Sequence, residues 1–358
     1  MTDIRPPHGG TPTLTDGAPL ISLTDLRLTL GRGAGAVDLV RGVSLDVPRG
    51  TTVAVVGESG SGKSLTAVSM MGLLPPGVTV GGGDIVFDGT PVARLTEREW
   101  QPLRGRQLGM IFQDPLSALN PCIRVGDQIA EMFRLRAGLG RREARDRAVE
   151  SMVEVGIPDA ERRARSYPHE FSGGMRQRVM IAMALSLQPQ LLIADEPTTA
   201  LDVTVQAQIM RLLMARKQAR GLTMILISHD LGVVSRSADS VVVMYAGRVV
   251  ESGPSREVLT RPAHPYTIGL MRSVPDRRRP GAALEAIPGQ PPDPRTVPSG
   301  CAFHPRCPMA QDRCRTEVPV LRPVGPARAS ACHFADEVVG DRPNLPEASE
   351  TSEVSGHV

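Results

Sequence analysis

Aromatic residues make up only 3% of the 358 positions. That excludes the aromatic platform on which single-strand nucleic-acid binders stack bases. Lysine is scarcer still: of 41 basic residues only Lys63 and Lys217 are lysine, the rest being arginine. Such a skew fits genomic base composition, yet it singles out Lys63, which falls inside a glycine-rich loop. Neither sign of charge dominates. A net charge of +3 carries no argument for a nucleic-acid partner, and no basic stripe is present. Long hydrophobic runs are also missing. The apolar stretches at 180–187 and 223–227 fall far short of the roughly 20 residues of a membrane-spanning helix. Residues 1–20 are rich in Pro, Gly and Thr and hold no apolar stretch of signal-peptide type. With five cysteines in the whole chain, the expectation is a cytosolic protein with reduced thiols. At this length, with 41% apolar residues, the chain can bury a full core without disulfides. It can form two domains, or one large domain with an appendage.

What is present alternates strand and helix. Residues 20–30 and 37–47 read as strands, and 51–56 as a short β-branched run of the buried parallel kind. Residues 64–74 read as a helix stopped by Pro75-Pro76. An amphipathic helix is expected over 141–156, with Ala144, Ala148, Met152 and Val155 on one face. A more apolar helix is expected over 175–187 and a third over 203–220, ended by Gly221. Core strands are expected at 191–194, 222–228 and 240–245. This order implies a mostly parallel α/β sheet. No internal repeat is found. Residues 1–18 read as a disordered leader and 336–358 as a disordered acidic tail, while prolines thicken from Arg261 onward.

Gly57-Glu58-Ser59-Gly60-Ser61-Gly62-Lys63-Ser64 has the phosphate-loop spacing between a strand and a helix. The glycines let backbone N–H groups turn toward phosphate oxygens, and the helix N-terminus adds its dipole. Lys63 supplies a compact charge to the β- and γ-phosphates, and Ser64 offers a hydroxyl to Mg²⁺. The strand Leu191-Leu192-Ile193-Ala194 delivers Asp195 and Glu196 at its carboxyl end, the edge where ligands bind in open α/β sheets. Asp195 is expected on Mg²⁺, and Glu196 as the acceptor of a proton from attacking water. Together these two parts indicate a nucleoside triphosphatase.

Further segments narrow the class. Phe171-Ser172-Gly173-Gly174-Met175-Arg176-Gln177-Arg178 resembles the signature of ATP-binding-cassette ATPases. Gln113 in Phe112-Gln113-Asp114-Pro115, Ala200-Leu201-Asp202 after the acids, and His229 in Ser228-His229-Asp230 stand in that family's order. The resemblance implies an α/β fold with a RecA-like core, an antiparallel β-subdomain and a helical signature subdomain. It implies an ATPase domain over 19–260, with the helical part about 115–180. It further implies that two subunits sandwich two ATP molecules, with Ser172, Gly173 and Gly174 facing the partner's γ-phosphate. Gln113 would touch Mg²⁺ and the water, Glu196 would be the general base, and His229 would contact the γ-phosphate. Where the family stacks adenine on an aromatic, this chain carries Leu30, and residues 1–56 hold no aromatic at all.

Other segments resemble the D-type ATP-binding subunit of dipeptide/oligopeptide importers: 114–121, Tyr167-Pro168-His169-Glu170, 195–208, 244–251, His264-Pro265-Tyr266-Thr267 and Ile287-Pro288-Gly289. That resemblance implies a C-terminal extension over 261–335. It implies a second ATPase subunit (a related F-type chain, or this chain again), two membrane permease subunits and an extracytoplasmic substrate-binding protein. It also implies a peripheral position on the cytoplasmic face of the inner membrane. Nickel-chelate, haem or glycoconjugate cargo is the alternative to peptide. A soluble cassette ATPase of DNA repair or translation would carry a coiled-coil insertion or a second cassette, and neither is visible.

Four cysteines cluster as Cys301-x5-Cys307-x6-Cys314-x17-Cys332. They lack the Cys-x2-Cys knuckles that structural zinc favours. By their chemistry they could hold an iron–sulfur cluster, zinc or nothing. Resemblance to D-type subunits favours a four-iron, four-sulfur (4Fe-4S) cluster on Cys301, Cys307, Cys314 and Cys332. Cys122 stands apart and is expected to be a packing residue.

Overall fold

The computed structural model describes residues 17–198, 202–273 and 286–340. The leader through residue 16, Ala200-Leu201 and residues 341–358 of the tail lie outside the described residues.

Two sheets organise the chain. The larger has eight strands in the order Arg322–Gly325, Arg328–Ser330, Arg248–Pro254, Ser240–Tyr245, Thr52–Val56, Thr223–Ile227, Leu191–Asp195 and Leu108–Ile111. From Ser240–Tyr245 to Leu108–Ile111 all neighbours run parallel. The smaller sheet pairs Ile21–Leu30 antiparallel with Val37–Val47 on one side and with Val78–Phe87 on the other. It is the antiparallel β-subdomain that the resemblance implies.

The parallel strands are uninterrupted apolar runs because both faces are covered. Successive side chains point to opposite faces. Val53 and Val55 join a core shared with the small sheet, while Ala54 and Val56 join a core shared with the C-terminal extension. Leu192 and Ala194 face a third cluster built with the helices Val125–Ala137, Arg141–Glu154 and Gly173–Leu185. Leu191, Leu192 and Ile193 are fully buried, each burial contributing roughly 1.5–3 kcal/mol.

The helix after the phosphate loop spans Lys63–Ser69, shorter than the periodicity predicts. The chain turns at Gly72, whose φ is +62° and where an added Cβ would lie 2.3 Å from the Trp100 ring. Side-chain caps fix three helix starts. Ser172 Oγ accepts the Met175 N–H, Asp202 accepts from Thr204 and Val205, and Asp230 accepts from Gly232 and Val233.

The C-terminal segment is not a loose appendage. Strands Arg322–Gly325 and Arg328–Ser330 continue the large sheet at its edge. The fully buried Glu251 accepts from Arg328 at 3.1 Å and from the Ala263 N–H at 2.7 Å. The Tyr245 and Tyr266 rings pack at a tilt with centroids 4.6 Å apart, and Phe303 lies 5.3 Å from each. Ala335–Gly340 form a short helix where the composition had placed the start of the tail. Among the described residues no helix is long and apolar enough to cross a membrane.

Candidate active site

Four neighbouring parallel strands deliver the predicted chemistry to one edge of the sheet. The phosphate loop leaves Thr52–Val56, His229 follows Thr223–Ile227, Asp195 ends Leu191–Asp195, and Gln113 lies just beyond Leu108–Ile111. All sit at carboxyl ends, where backbone polarity and sheet twist open a crevice.

The loop is held against the next strand. An added Cβ on Gly57, at φ +149°, would meet the Met244 carbonyl oxygen at 2.2 Å, so only glycine fits. Gly247 N–H donates to the Ser61 carbonyl at 3.1 Å. Gly62 (φ +99°) then opens the helix Lys63–Ser69. The Lys63 ammonium donates to the Gly57 and Glu58 carbonyls, both at 2.8 Å, and to Ser61 Oγ at 3.4 Å. Burial lowers its pKa, while Glu196, Asp195 and Glu58 pull it back up.

Ser64 Oγ donates to Asp195 Oδ1 at 3.1 Å, joining the two groups expected at Mg²⁺. Burial raises the Asp195 pKa, and the Ser64 hydrogen bond opposes that shift. Glu196 adopts a left-handed backbone (φ +47°), and its N–H is tied to the Ile227 carbonyl at 3.0 Å. That conformation turns the carboxylate out of the strand direction. Gln113 Nε2 donates to Glu196 Oε2 at 3.1 Å, and His229 Nδ1 lies 3.3 Å from the same oxygen. The His229 side chain is 65% exposed while that of Glu196 is 16% exposed, so the imidazole caps the acid from the solvent side. Such a cluster can orient a water and take its proton.

Ser172, Gly173 and Gly174 open the helix Gly173–Leu185. Their surroundings are the helical cluster: Arg176 donates to the Pro168 carbonyl at 2.8 Å, and Gly174 lies against Val205. Leu30, at the end of its strand, is 37% exposed.

One connection escaped sequence reasoning. Arg306 makes a two-pronged ion pair with Glu58 of the phosphate loop, Nη1–Oε2 2.6 Å and Nη2–Oε1 2.9 Å. The Glu58 N–H donates to Tyr266 Oη at 2.7 Å. Partners 248 residues apart leave no local pattern.

The expected 4Fe-4S cluster requires correction. Cys301, Cys307, Cys314 and Cys332 line one pocket, whose other walls are His264, His304 and His333 together with Pro265, Phe303, Met309, Phe334 and Val338. Burial pushes the Cys307 and Cys332 thiols up to about 11 and raises Cys301 as well. Among the described residues no group of three or more His, Cys, Asp or Glu side chains could hold a metal ion. The expected cluster is therefore not supported among the described residues, where Cys301, Cys307, Cys314 and Cys332 are free thiols lining one pocket. Cys122, expected to pack, is instead exposed, its N–H donating to Asn120 Oδ1 at 2.9 Å.

This geometry is that of an ATP-binding-cassette ATPase. Residues 40–199 match the family described as ABC transporter. The ATP-binding cassette MJ0796, solved as a dimer in a post-hydrolysis state with ADP and Pi, aligns with a TM-score of 0.60 and 27% identity, over 66% of this chain and 99% of that one. Residues 250–314 match the C-terminal region of oligopeptide/dipeptide transporters. The oligopeptide transport ATP-binding protein OppD of Salmonella typhimurium is 49% identical over 87% of this chain and 93% of its own. The dipeptide transport ATP-binding protein DppD of Escherichia coli K12 is 43% identical over 91% and 99%. The chain belongs to the family of ATP-binding subunits of oligopeptide and dipeptide ABC transporters.

Proposed function

We propose that this chain hydrolyses ATP to drive peptide import through a membrane permease. The observation that carries the chemistry is the meeting of Gln113, Glu196 and His229 beside the Ser64–Asp195 pair, at the mouth of the phosphate loop. Residues 57–64 cradle the phosphates, with Lys63 neutralising the β- and γ-oxygens. Ser64, Asp195 and Gln113 suit Mg²⁺, which takes few protein oxygens and completes its shell with water and phosphate. When bound, Mg²⁺ neutralises charge on the transferring phosphoryl group.

A water held by Gln113 and Glu196 gives its proton to the Glu196 carboxylate as its oxygen bonds to the γ-phosphorus. The bond from that phosphorus to the bridging oxygen breaks, leaving ADP and phosphate. His229 contacts the γ-phosphate and helps place the water. Ser172, Gly173 and Gly174 point their N–H groups at the γ-phosphate of ATP bound to a second ATPase subunit, so one chain alone holds half of each site. That second subunit is a related F-type chain or a second copy of this one. Adenine rests on aliphatic surface near Leu30.

Family membership brings a permease and an extracytoplasmic binding protein. We assign two permease subunits, docked near residues 113–132, and a peripheral position on the cytoplasmic face of the inner membrane. ATP binding closes the ATPase pair and turns the permease outward, and hydrolysis resets it. The peptide cargo is supported by the relatives' names and by the match over 250–314. The test is uptake of a labelled oligopeptide by cells lacking this chain. Wild-type chain restores uptake and Glu196→Gln does not. Normal peptide uptake without the chain, or a crosslink map with no permease contact at 113–132, contradicts the assignment.

A further inference from the structure

Glu58 is gripped at all three of its polar groups. Its carboxylate accepts two parallel bonds from Arg306, at 2.6 and 2.9 Å. Its N–H donates to Tyr266 Oη at 2.7 Å. Its carbonyl receives the Lys63 ammonium at 2.8 Å and the Ser61 N–H at 3.2 Å. Two of these three holds come from the C-terminal extension, and the third leads to the lysine of the phosphate loop.

Arg306 is itself fixed. Besides Glu58, its Nε donates to the Pro288 carbonyl at 2.8 Å and its Nη1 to Tyr245 Oη at 3.3 Å. Nη2 also lies 3.5 Å from the Ile287 and Gly289 carbonyls. All five donors of the planar fork are therefore engaged. The side chain is 6% exposed and that of Glu58 25%, so water screens the pair weakly, and the charge-assisted two-pronged geometry fixes direction as well as distance. Tyr266, fully buried, is braced by the rings of Tyr245 and Phe303. A rigid body thus reaches across from the extension to the residue whose carbonyl orients Lys63.

We infer that the C-terminal extension is a positioning element of the ATP site: Arg306, with Tyr266, holds Glu58 so that its carbonyl keeps Lys63 aimed into the phosphate loop. Arg306 and Tyr266 act on the loop through Glu58 and are positioning residues. The inference rests on the reading of residues 57–64 as the ATP site. It gives the extension a role in nucleotide affinity that requires no metal.

The test is the affinity of the full-length chain for MgATP by titration calorimetry, in wild type, Arg306→Met, Glu58→Gln, the double variant and Arg306→Lys, with thermal melting of each. The expected result is an affinity loss of about tenfold in either single variant. The double variant is expected to be no weaker than the weaker single one, because both remove the same link. Arg306→Lys regains part of the loss, since the charge survives but the fork does not. If Arg306→Met does not fold, Glu58→Gln carries the test, because it leaves the bonds of Arg306 to Pro288 and Tyr245 in place. Folded variants binding MgATP within about twofold of wild type, or losses that multiply in the double variant, overturn the inference. A folded wild type that binds no MgATP overturns the ATP-site reading itself, a separate outcome.

Discussion

Gln113 and Glu196 meet across the gap between neighbouring parallel strands, Nε2 to Oε2 at 3.1 Å. The contact joins a residue on the path to the helical cluster with the acid at the end of the core strand Leu191–Asp195. Movement of the helical part therefore displaces a group that touches the proposed base. Under the docking proposed for residues 113–132, this contact is the route by which the permease would act on hydrolysis.

Glu196→Gln keeps the shape and removes the base. Turnover is expected to fall about 10²- to 10⁴-fold, with MgATP affinity preserved. Single-turnover hydrolysis and equilibrium binding measured on the same preparation check this. Full ATPase activity in the variant removes Glu196 from the role.

Lys63→Ala deletes the cation that bridges the Gly57 and Glu58 carbonyls and is proposed to neutralise the phosphates. Affinity for the triphosphate is expected to fall about ten- to a hundredfold, the scale of a lost charge-assisted contact. Titration with MgATP reads it, and unchanged affinity contradicts the placement of the loop.

His264 gives a pH signature. It is fully buried in the aromatic region, and desolvation lowers its pKa to about 3. Its Nδ1 accepts the Tyr266 N–H at 3.0 Å, capping the helix Pro265–Arg272. Between that value and the ordinary 6.5 the unfolded chain binds a proton here and the folded chain does not. Stability is therefore lost as pH falls through 6.5, at about 1.4 kcal/mol per unit. His264→Asn keeps a capping oxygen and cannot titrate. It is expected to lose ~2 kcal/mol less than wild type between about pH 6.5 and 5 by denaturant unfolding. Parallel curves for the two chains refute the assignment.

The thiols should react unequally. Cys122 is exposed, whereas Cys307 and Cys332 are pushed up to about 11 by burial. At about pH 8 such thiols are on the order of 0.1% thiolate. Alkylation followed by mass spectrometry is expected to modify Cys122 at least about tenfold faster than either. Equal rates contradict the burial of these thiols.

Much of the site was legible because its chemistry is local in sequence. Residues 57–64 need no tertiary knowledge, since strand, glycines and lysine are contiguous. Asp195 was legible at the end of a short apolar strand, whereas Gln113 and His229 were placed by the family resemblance, and the strand Leu108–Ile111 ahead of Gln113 was not expected. Sequence order did not reveal the pairing of the strands, because parallel neighbours such as Thr52–Val56 and Thr223–Ile227 are joined across most of the domain. The strand Val78–Phe87 was hidden by Gly81-Gly82-Gly83, which lie where its register with Ile21–Leu30 slips. The cysteine quartet was read for its ligand chemistry, but the pocket it lines is completed by residues outside the cysteine segment, such as His264 and Pro265. The grip of Arg306 on Glu58 has no sequence signal, because an arginine declares its partner only after folding.

The most direct test of the account is ATP hydrolysis by the complex of this chain with its partner ATPase and permease in lipid vesicles, with and without peptide-loaded binding protein. Hydrolysis is expected to rise with the loaded binding protein and to vanish when Glu196→Gln replaces the wild-type chain, with MgATP still bound. Hydrolysis that ignores peptide, or that continues unchanged in Glu196→Gln, would contradict it.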